Sequence, residues 1–359
     1  AIIASPASRR FADVAVNRRT AMLGGAALAL AGCTRAGTPR ASTVPAPLTP
    51  ADFSLVIDGL DHAEGVASAP DGRLFLSNSG GAIGVLPPGQ PLRQVGAPLA
   101  ANGVAVDAQG RVIVANMGLL QQQPGPLQRI SLETGAVETL VSELEGRQLV
   151  ASNGPATARD GSIYCTHSSW GPVANIGTTT PAGFIYMVRP DGSAAIVARD
   201  LRGVNGLCLD RDERHLYASL TAEGRIRRWR RNADGTLADP QDFGPQLGTV
   251  VPDQTVKAIL ALPPQEKAAL GYCDGIAFDM AGNLWITLPF SNRLVALTPQ
   301  GRQIDILHDP AGEKIAMPTN LCWGGPDRRT LYVVSRGKGM IVQARTAIAG
   351  APLANWPAG

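Results

Sequence analysis

Several features that mark nucleic-acid-binding and membrane-spanning proteins are missing from this sequence. The formal net charge is only +3, and residues 1–32, with four arginines against one aspartate, account for all of it. The remainder is neutral overall, so its net charge gives no electrostatic footprint for a nucleic-acid partner. The apolar run over 21–31 is too short to cross a bilayer as a permanent helix.

Cysteine and histidine are also scarce, with five and four residues. Four cysteines lie beyond the first fifty residues, in or beside apolar strand patterns: Cys165, Cys208, Cys273 and Cys322. Their spacing matches no zinc motif. An exported protein can form disulfides, but these positions favour buried free thiols that act as small hydrophobic side chains.

The front of the chain indicates export. The segment "NRRTAMLGGAALALAGC" (17–33) joins an arginine pair, Arg18–Arg19, to an apolar run that ends at Cys33. It resembles a twin-arginine signal with a bacterial lipobox, in which the cysteine is lipidated; the alternative is a soluble periplasmic product cleaved nearby. We expect a signal over 1–33, a flexible tether over 34–50, and a periplasmic protein that Cys33 can attach to a membrane.

A phrase that occurs six times dominates the rest of the sequence. The copies are "EGVASAPDGRLFLSN" (64–78), "NGVAVDAQGRVIVAN" (102–116), "NGPATARDGSIYCTH" (153–167), "NGLCLDRDERHLYAS" (205–219), "DGIAFDMAGNLWITL" (274–288) and the looser "TNLCWGGPDRRTLYVVS" (319–335). Each has the pattern strand, tight turn, strand, and a further strand-like run follows most of them. The copies begin 38, 51, 52, 69 and 45 positions apart, a period typical of propeller blades.

These repeats predict an all-β fold, a six-bladed β-propeller with four-stranded blades over residues 51–359. The abundance of glycine and proline, 41 and 28 residues, suits many short strands and turns. The alternative is a β-sandwich with coincidental turns, but six aligned copies make a coincidence a poor explanation.

The first residue of each copy is polar, and we call these six the head residues: Glu64, Asn102, Asn153, Asn205, Asp274 and Thr319. Because the innermost strand of each blade lines the channel of a propeller, the head residues should converge at one mouth of it. Their carboxylate and amide oxygens favour a hard cation such as Ca²⁺; without one, the two carboxylates would raise each other's pKa. The alternative is that Asn-Gly and Asp-Gly merely open strands, which leaves Glu64 unexplained.

These phrases resemble those of the gluconolactonase, regucalcin (senescence marker protein) and diisopropyl fluorophosphatase family of six-bladed propellers, over about 53–344. The resemblance implies a metal-dependent hydrolase of a lactone or related ester. It also implies one divalent cation, usually Ca²⁺, with Zn²⁺, Mg²⁺ and Mn²⁺ as alternatives. The matching ligand positions are Glu64, Asn153, Asn205 and Asp274, and Asp274 matches the family's general base or nucleophile.

Two positions depart from the sugar-lactone members of that family. Many of these carry Arg two residues before the third head residue and Asp straight after it, where this chain has Ala151 and Gly154. An arginine would make bidentate contacts with a polyhydroxylated substrate, so its loss favours a less polar one. Arg147, in the preceding connection, is a candidate replacement.

Three segments are expected to crown the mouth: 117–126, 167–183 and 251–273. The last contains short helical patterns and should form a lid that places Tyr272 at the rim. His167 is a candidate proton shuttle near neutral pH, with a structural, hydrogen-bonded histidine as the alternative. Trp170, Tyr272 and Trp323 are candidates for an apolar wall, with packing between blades as the alternative for such aromatic residues. Asn102 and Asn153 are candidate hydrogen-bond donors to the substrate.

Three functions fit these patterns. The first is a Ca²⁺-dependent periplasmic hydrolase that acts on a lactone or related ester. The second uses the same site for organophosphate hydrolysis or isomerisation, and the third is a non-catalytic ligand-binding propeller. Glu64 and Asp274 in one ring favour an enzyme, because a scaffold needs no converging charge. We expect a small-molecule substrate and a monomer.

Overall fold

Six four-stranded antiparallel sheets make up nearly all the regular structure, which confirms the six-bladed propeller. A computed structural model describes residues 43–61, 63–77, 81–172 and 180–357. The predicted signal over 1–33, with Cys33, lies outside these residues. Within the described ranges, no helix has the length and apolar character needed to span a bilayer.

The strands are numbered β1–β26 in chain order. Blades one to three consist of β2–β5 (Val66–Ser68, Leu74–Ser77, Ile83–Leu86, Arg93–Val95), β6–β9 (Ala101–Val106, Val112–Asn116, Leu127–Ile130, Val137–Val141) and β12–β15 (Ser152–Thr157, Ile163–His167, Gly183–Val188, Ala194–Leu201). Blades four and five consist of β16–β19 (Val204–Leu209, His215–Leu220, Arg225–Arg231, Leu237–Asp242) and β20–β23 (Ile276–Phe278, Leu284–Leu288, Arg293–Leu297, Gln303–His308). Blade six combines β24–β26 (Pro318–Gly324, Thr330–Ser335, Met340–Arg345) with β1 (Ser54–Ile57). A small hairpin connects blades two and three and consists of β10 (Glu143–Leu144) and β11 (Arg147–Gln148). The connection between blades four and five contains two short helices, α1 (Val256–Leu260) and α2 (Pro264–Ala268).

Aspartate side chains close several of the tight turns between first and second strands. Asp107 Oδ1 accepts hydrogen bonds from the backbone N–H groups of Gln109 (3.0 Å) and Arg111 (2.9 Å). The turn glycine, Gly110, has a φ of 77°, a left-handed conformation that glycine adopts without steric cost. These turns set the length of each hairpin and hence return the second strand to the level of the head residue.

The ring of blades is closed by a strand from the opposite end of the chain. Strand β1 pairs antiparallel with β26, with Ser54 opposite Gln343, so the N-terminal strand is the outer strand of the last blade. The segment just before it is also held, since Leu48 N donates to Ile306 O (2.7 Å) and Asn283 Nδ2 donates to Thr43 O (2.9 Å). The last part of the segment predicted as a flexible tether, 43–50, therefore lies against the propeller.

The hydrophobic core is divided among the interfaces between neighbouring blades. Trp285 of blade five and Trp323 of blade six meet edge to face, with ring centroids 5.1 Å apart. Second and third strands are buried on both faces, as in β13 and β14, which explains their almost continuous apolar sequences. The four described cysteines are free and buried, as expected.

Glycine after the head residue allows neighbouring inner strands to approach closely. A Cβ atom on these glycines would lie against the carbonyl oxygen of the next head residue: 2.7 Å from Asn102 at Gly65, 2.1 Å from Asn153 at Gly103, 2.5 Å from Asn205 at Gly154, 2.4 Å from Asp274 at Gly206 and 2.7 Å from Thr319 at Gly275. The sixth step has Asn320 in place of glycine, and Thr319 Oγ1 donates to Glu64 O (3.0 Å) instead. The ring of head residues is therefore continuous.

Hydroxyl groups on the second strands tie this ring together. Gly206 N donates to Ser219 Oγ (2.8 Å), and Ser219 Oγ donates to Asp274 O (2.6 Å). Thr166 forms the same bridge between Gly154 N (2.8 Å) and Asn205 O (2.6 Å). Each bridge satisfies a buried backbone donor and a buried backbone acceptor at once, and so fixes the separation of two head residues.

We expect Gly206→Ala to lower the free energy of unfolding by about 1–3 kcal/mol, because the new Cβ would press on backbone that cannot move aside. Urea denaturation measures the change. Gly84→Ala is the matched control, since this strand glycine faces the flexible end of Leu92 (3.0 Å). If the Gly206 variant proved as stable as wild type and the control, tight packing of the ring would be refuted.

Candidate functional site

The fold brings the two acidic head residues together at one mouth of the channel. Asp274 is 9% exposed and lies within electrostatic reach of Glu64 and beside the Asn205 side chain. Residues far apart in sequence thus share one small region, as the repeat predicted.

The amide of Asn153 is held from both sides. Its Oδ1 accepts a hydrogen bond from Asn102 Nδ2 (2.7 Å), and its Nδ2 donates to Ser168 Oγ (2.9 Å). Ser168 Oγ in turn donates to Val204 O (3.0 Å). An amide oxygen has two acceptor lone pairs, so Asn153 Oδ1 can accept one further contact. The side chain is therefore pre-oriented for a ligand.

The two carboxylates are incompletely compensated. Burial, followed by the charge of Glu64, raises the pKa of Asp274 well above its ordinary value, against the opposing effects of Arg336 and Asn205. No cluster of three or more His, Cys, Asp or Glu occurs in the described residues, so the donor set consists of two carboxylates and neighbouring amides. An oxygen-only set with unrelieved negative charge fits a hard divalent cation.

Arg336 also belongs to this mouth, although no sequence argument singled it out. It begins a 3₁₀ turn, Arg336–Lys338, directly after β25, and its Nη1 donates to the Glu64 carboxylate. The turn is held because Gly337 N donates to Ala316 O (2.9 Å). Strand order predicts that loops after second strands reach the mouth, and Arg336 follows the second strand of the sixth copy, so this rule applied to blade six would have found it.

The channel continues beneath the ring glycines as a cavity of about 120 Å³. The C-terminal segment lies over its far end, where residues 351–354 line the cavity. Arg159 Nη2 donates to Pro352 O (3.2 Å), and Asn355 Nδ2 donates to Ser68 O (2.8 Å). The head side chains are therefore approached from the opposite end, the mouth surrounded by loops.

The family model for the SMP-30/gluconolactonase/LRE-like region matches residues 62–337. The chain belongs to this family.

Similar proteins agree with this assignment. A 6-deoxy-6-sulfogluconolactonase from Pseudomonas putida is 28% identical over 175 residues, 49% of this chain and 50% of the relative. A gluconolactonase from Zymomonas mobilis is 22% identical over 76% of this chain and 69% of the relative. The chain thus spans half the length of the first relative and just over two thirds of the second.

Among solved structures, a calcium-binding protein, regucalcin, from Agrobacterium tumefaciens superposes with a TM-score of 0.62 at 18% identity. The match covers 83% of this chain and 95% of that chain. At this identity the likeness shows that the two proteins share the propeller fold.

At the position where many sugar-lactone members of the family carry arginine, Ala151 is fully buried. The backbone N–H groups of Val150 and Ala151 donate to Nε2 of His167 (3.2 and 3.1 Å). Nε2 is therefore the acceptor nitrogen and Nδ1 carries the hydrogen, with no hydrogen-bond partner among the described residues. Burial, then the charge of Arg147, lowers the pKa of His167 to about 3. This environment favours the structural alternative over the proton shuttle.

Trp170 lies between that histidine and the β10–β11 hairpin. The centroid of its ring is 4.5 Å from that of His167, and the Arg147 guanidinium lies 4.1 Å from the centroid of the Trp170 ring, a cation–π contact. Arg147 thus covers an aromatic ring, and this contact, rather than a bond to a head residue, is what the structure shows for it. Residues 173–179, in the predicted crown segment 167–183, lie outside the described residues.

The predicted helices of 251–273 are present as α1 and α2, and Thr255 Oγ1 caps α1 by accepting from Ala258 N (3.2 Å). Tyr272, however, is only 2% exposed. Its hydroxyl group accepts from Val251 N and donates to Val251 O, both at 2.9 Å. Tyr272 therefore holds the segment to the propeller, and its polar group is engaged by backbone. A role for the segment as a lid stays a prediction.

We expect the neutral His167 ring to make stability depend on pH. Its pKa is about 3 in the folded chain against 6.5 ordinarily, so below pH 6.5 the unfolded chain takes up a proton that the folded chain does not. This contribution is fully present above pH 6.5 and is lost as pH falls toward 3, at up to about 1.4 kcal/mol per pH unit.

His167→Gln keeps an acceptor for the two backbone N–H groups and should lack this loss of stability at falling pH. Urea denaturation between pH 7 and pH 4.5 measures it, with the exposed His308→Gln as control. If the difference in the free energy of unfolding between wild type and His167→Gln stayed constant across this pH range, a buried neutral ring would be contradicted.

Proposed function

We propose that the protein is a hydrolase that opens a lactone or related ester. The observation that carries the proposal is the convergence of the Glu64 and Asp274 carboxylates with the Asn153 and Asn205 amides at the mouth of a gluconolactonase-family propeller. The two curated relatives described above are both lactonases, which supports the same reaction class. A purely ligand-binding propeller would not require two carboxylates in so buried a place.

We further propose that Glu64, Asn153, Asn205 and Asp274 hold one divalent cation. Ca²⁺ is the first candidate, because all four side chains offer hard oxygen ligands and the regucalcin of the same fold is a calcium-binding protein. A bound cation would supply Lewis-acid polarisation of the substrate carbonyl and stabilise charge that develops on its oxygen.

In the proposed reaction Asp274 is the general base. Its carboxylate accepts a proton from a water molecule as the water oxygen bonds to the carbonyl carbon, and the proton passes to the ring oxygen as the carbon–oxygen bond breaks. The product is a hydroxy acid. A cation bound beside Asp274 would favour the ionised carboxylate, which is the form that can accept the proton. The Asn205 side chain lies beside this carboxylate, and Asn102, half-buried beside Asn153, would donate to a substrate oxygen through its second amide N–H.

The mouth favours a lactone with fewer hydroxyl groups than an aldonic acid lactone. Ala151 offers no polar group, and its N–H is occupied by His167 (3.1 Å). A side chain at Gly154 is excluded as well, since its Cβ would lie 2.5 Å from Asn205 O. Both departures from the sugar-lactone pattern thus remove contacts that would recognise a polyhydroxylated ring.

Asp274→Asn should lower lactone hydrolysis at least about 100-fold, because the amide cannot accept the proton. A pH-stat assay over sugar lactones, less polar lactones and phosphotriesters, with and without a chelator, measures this. Asp305→Asn is the matched control, an exposed aspartate on the outer strand of the same blade.

Full activity of an Asp274→Asn variant that retains its metal would refute the base assignment. Turnover of phosphotriesters but of no lactone would instead support the alternative of organophosphate hydrolysis.

We also propose that the leader exports the protein to the periplasm and that Cys33 is lipidated. Cell fractionation tests this, since Cys33→Ser should move the protein from the membrane fraction to another compartment. A wild-type protein found wholly in the soluble periplasmic fraction would favour the soluble alternative and exclude the lipid anchor.

A further inference from the structure

The Arg336 side chain is the one basic group that bonds to a head residue within the described part of the chain. Its Nη1 donates to Glu64 Oε2, and the exposed fractions of the two side chains are 32% and 12%. The guanidinium thus sits on one of the two carboxylates at the proposed cation site, with an open side toward solvent. Its positive charge also reaches Asp274.

This contact changes the charge that the ring presents to a cation. Ionised Glu64 and Asp274 carry a charge of about −2, and the guanidinium reduces it to about −1. Calcium sites tune their affinity largely through the number of charged ligands. The guanidinium and a divalent ion bound to the same carboxylate would also repel each other.

A hydrogen bond to a ligand carboxylate can act in the opposite sense, because it orients the ligand and can strengthen metal binding 10- to 100-fold. The backbone around Glu64 is already fixed by the bond from Thr319 Oγ1 to its carbonyl oxygen (3.0 Å) and by the bond from Gly65 N to Ser77 Oγ (2.6 Å), so an orienting effect of Arg336 is confined to the Glu64 side chain. The guanidinium weakens the attraction of both carboxylates for the ion, and its own repulsion of the ion scales with the double charge of the ion. The electrostatic effect therefore outweighs the orienting one.

We propose that Arg336 is a built-in competitor of the cation, so that this mouth binds divalent ions more weakly than the same ring would without the arginine. The inference rests on the cation site proposed above. Arg336 thus acts on the proposed site through the charge of Glu64, and it raises the calcium concentration at which that site would fill.

Calcium titration of the chelator-treated full chain tests this, by isothermal calorimetry and by the calcium-induced rise in Tm. Arg336→Gln, which removes the charge but can still donate to Glu64, should bind Ca²⁺ about tenfold more tightly than wild type or better, with a larger rise in Tm. Arg336→Lys keeps the charge and should stay close to wild type. Lys338→Gln, in the same turn but exposed, is the control and should change neither readout.

The outcomes separate the two proposals. Equal or weaker Ca²⁺ binding by Arg336→Gln, with binding by wild type intact, overturns the competitor role alone. If neither protein binds Ca²⁺, the cation site and the competitor role are both refuted. If Arg336→Gln binds Ca²⁺ and wild type does not, the cation site and the competitor role are both supported. The rise in Tm remains measurable if the variant is less stable without calcium, as expected for two carboxylates that lose their shared counter-ion.

Discussion

The close contact between each ring glycine and the carbonyl oxygen of the next head residue is the constraint on which the site depends. Inner strands of neighbouring blades diverge as they leave the channel axis, so they can approach only where one of them has no side chain. At Gly206 the next carbonyl oxygen occupies the space of a Cβ atom, at 2.4 Å. The hydroxyl bridges from Thr166 and Ser219 then convert this approach into fixed hydrogen bonds. The head side chains converge because the backbone beneath them has been drawn together.

Convergence of this kind has an electrostatic cost. Glu64 and Asp274 would be more stable apart and in water, and the raised pKa of Asp274 reflects its burial and their mutual repulsion. Packing alone gives no reason to gather two carboxylates, since apolar residues would stabilise the same ring. Such an arrangement is typical of a functional site, where local stability is given up for chemistry. Arg336 relieves part of the repulsion without removing either carboxylate.

The features that the sequence predicted are those with a local, repeated pattern. Hairpins and the column of head residues recur six times, and each copy supports the interpretation of the others. Strand β1 has no such support, because "SLVI" is short and its partner in β26 is almost the whole chain away. Hydroxyl residues stand near the end of four of the six phrases, at Ser77, Thr166, Ser219 and Thr287, but their bridging role appears only when two blades are seen side by side.

The environments of individual side chains were harder to predict, for the same physical reason. His167 stands at the end of a strand beside the mouth, where a histidine can be exposed or buried. Its burial follows from the stacked ring of Phe184 (4.4 Å) and from backbone N–H groups of another segment. Tyr272 is likewise turned away by Val251, a partner 21 residues earlier. Strand order therefore identifies which segments reach the mouth, but contacts between segments decide which side chains face it.

Arg336 on blade six does not compensate for the arginine that this chain lacks at position 151. A residue at position 151 would stand on the approach to Asn153, where the family's arginine is suited to substrate oxygens. Arg336 arrives beside Glu64 from the other side of the ring and bonds to a carboxylate of the site itself. In the proposed function the first position would affect recognition of a substrate, and the second would affect the charge balance of the ring. Because different blades supply these two positions, a change at one would leave the proposed role of the other intact.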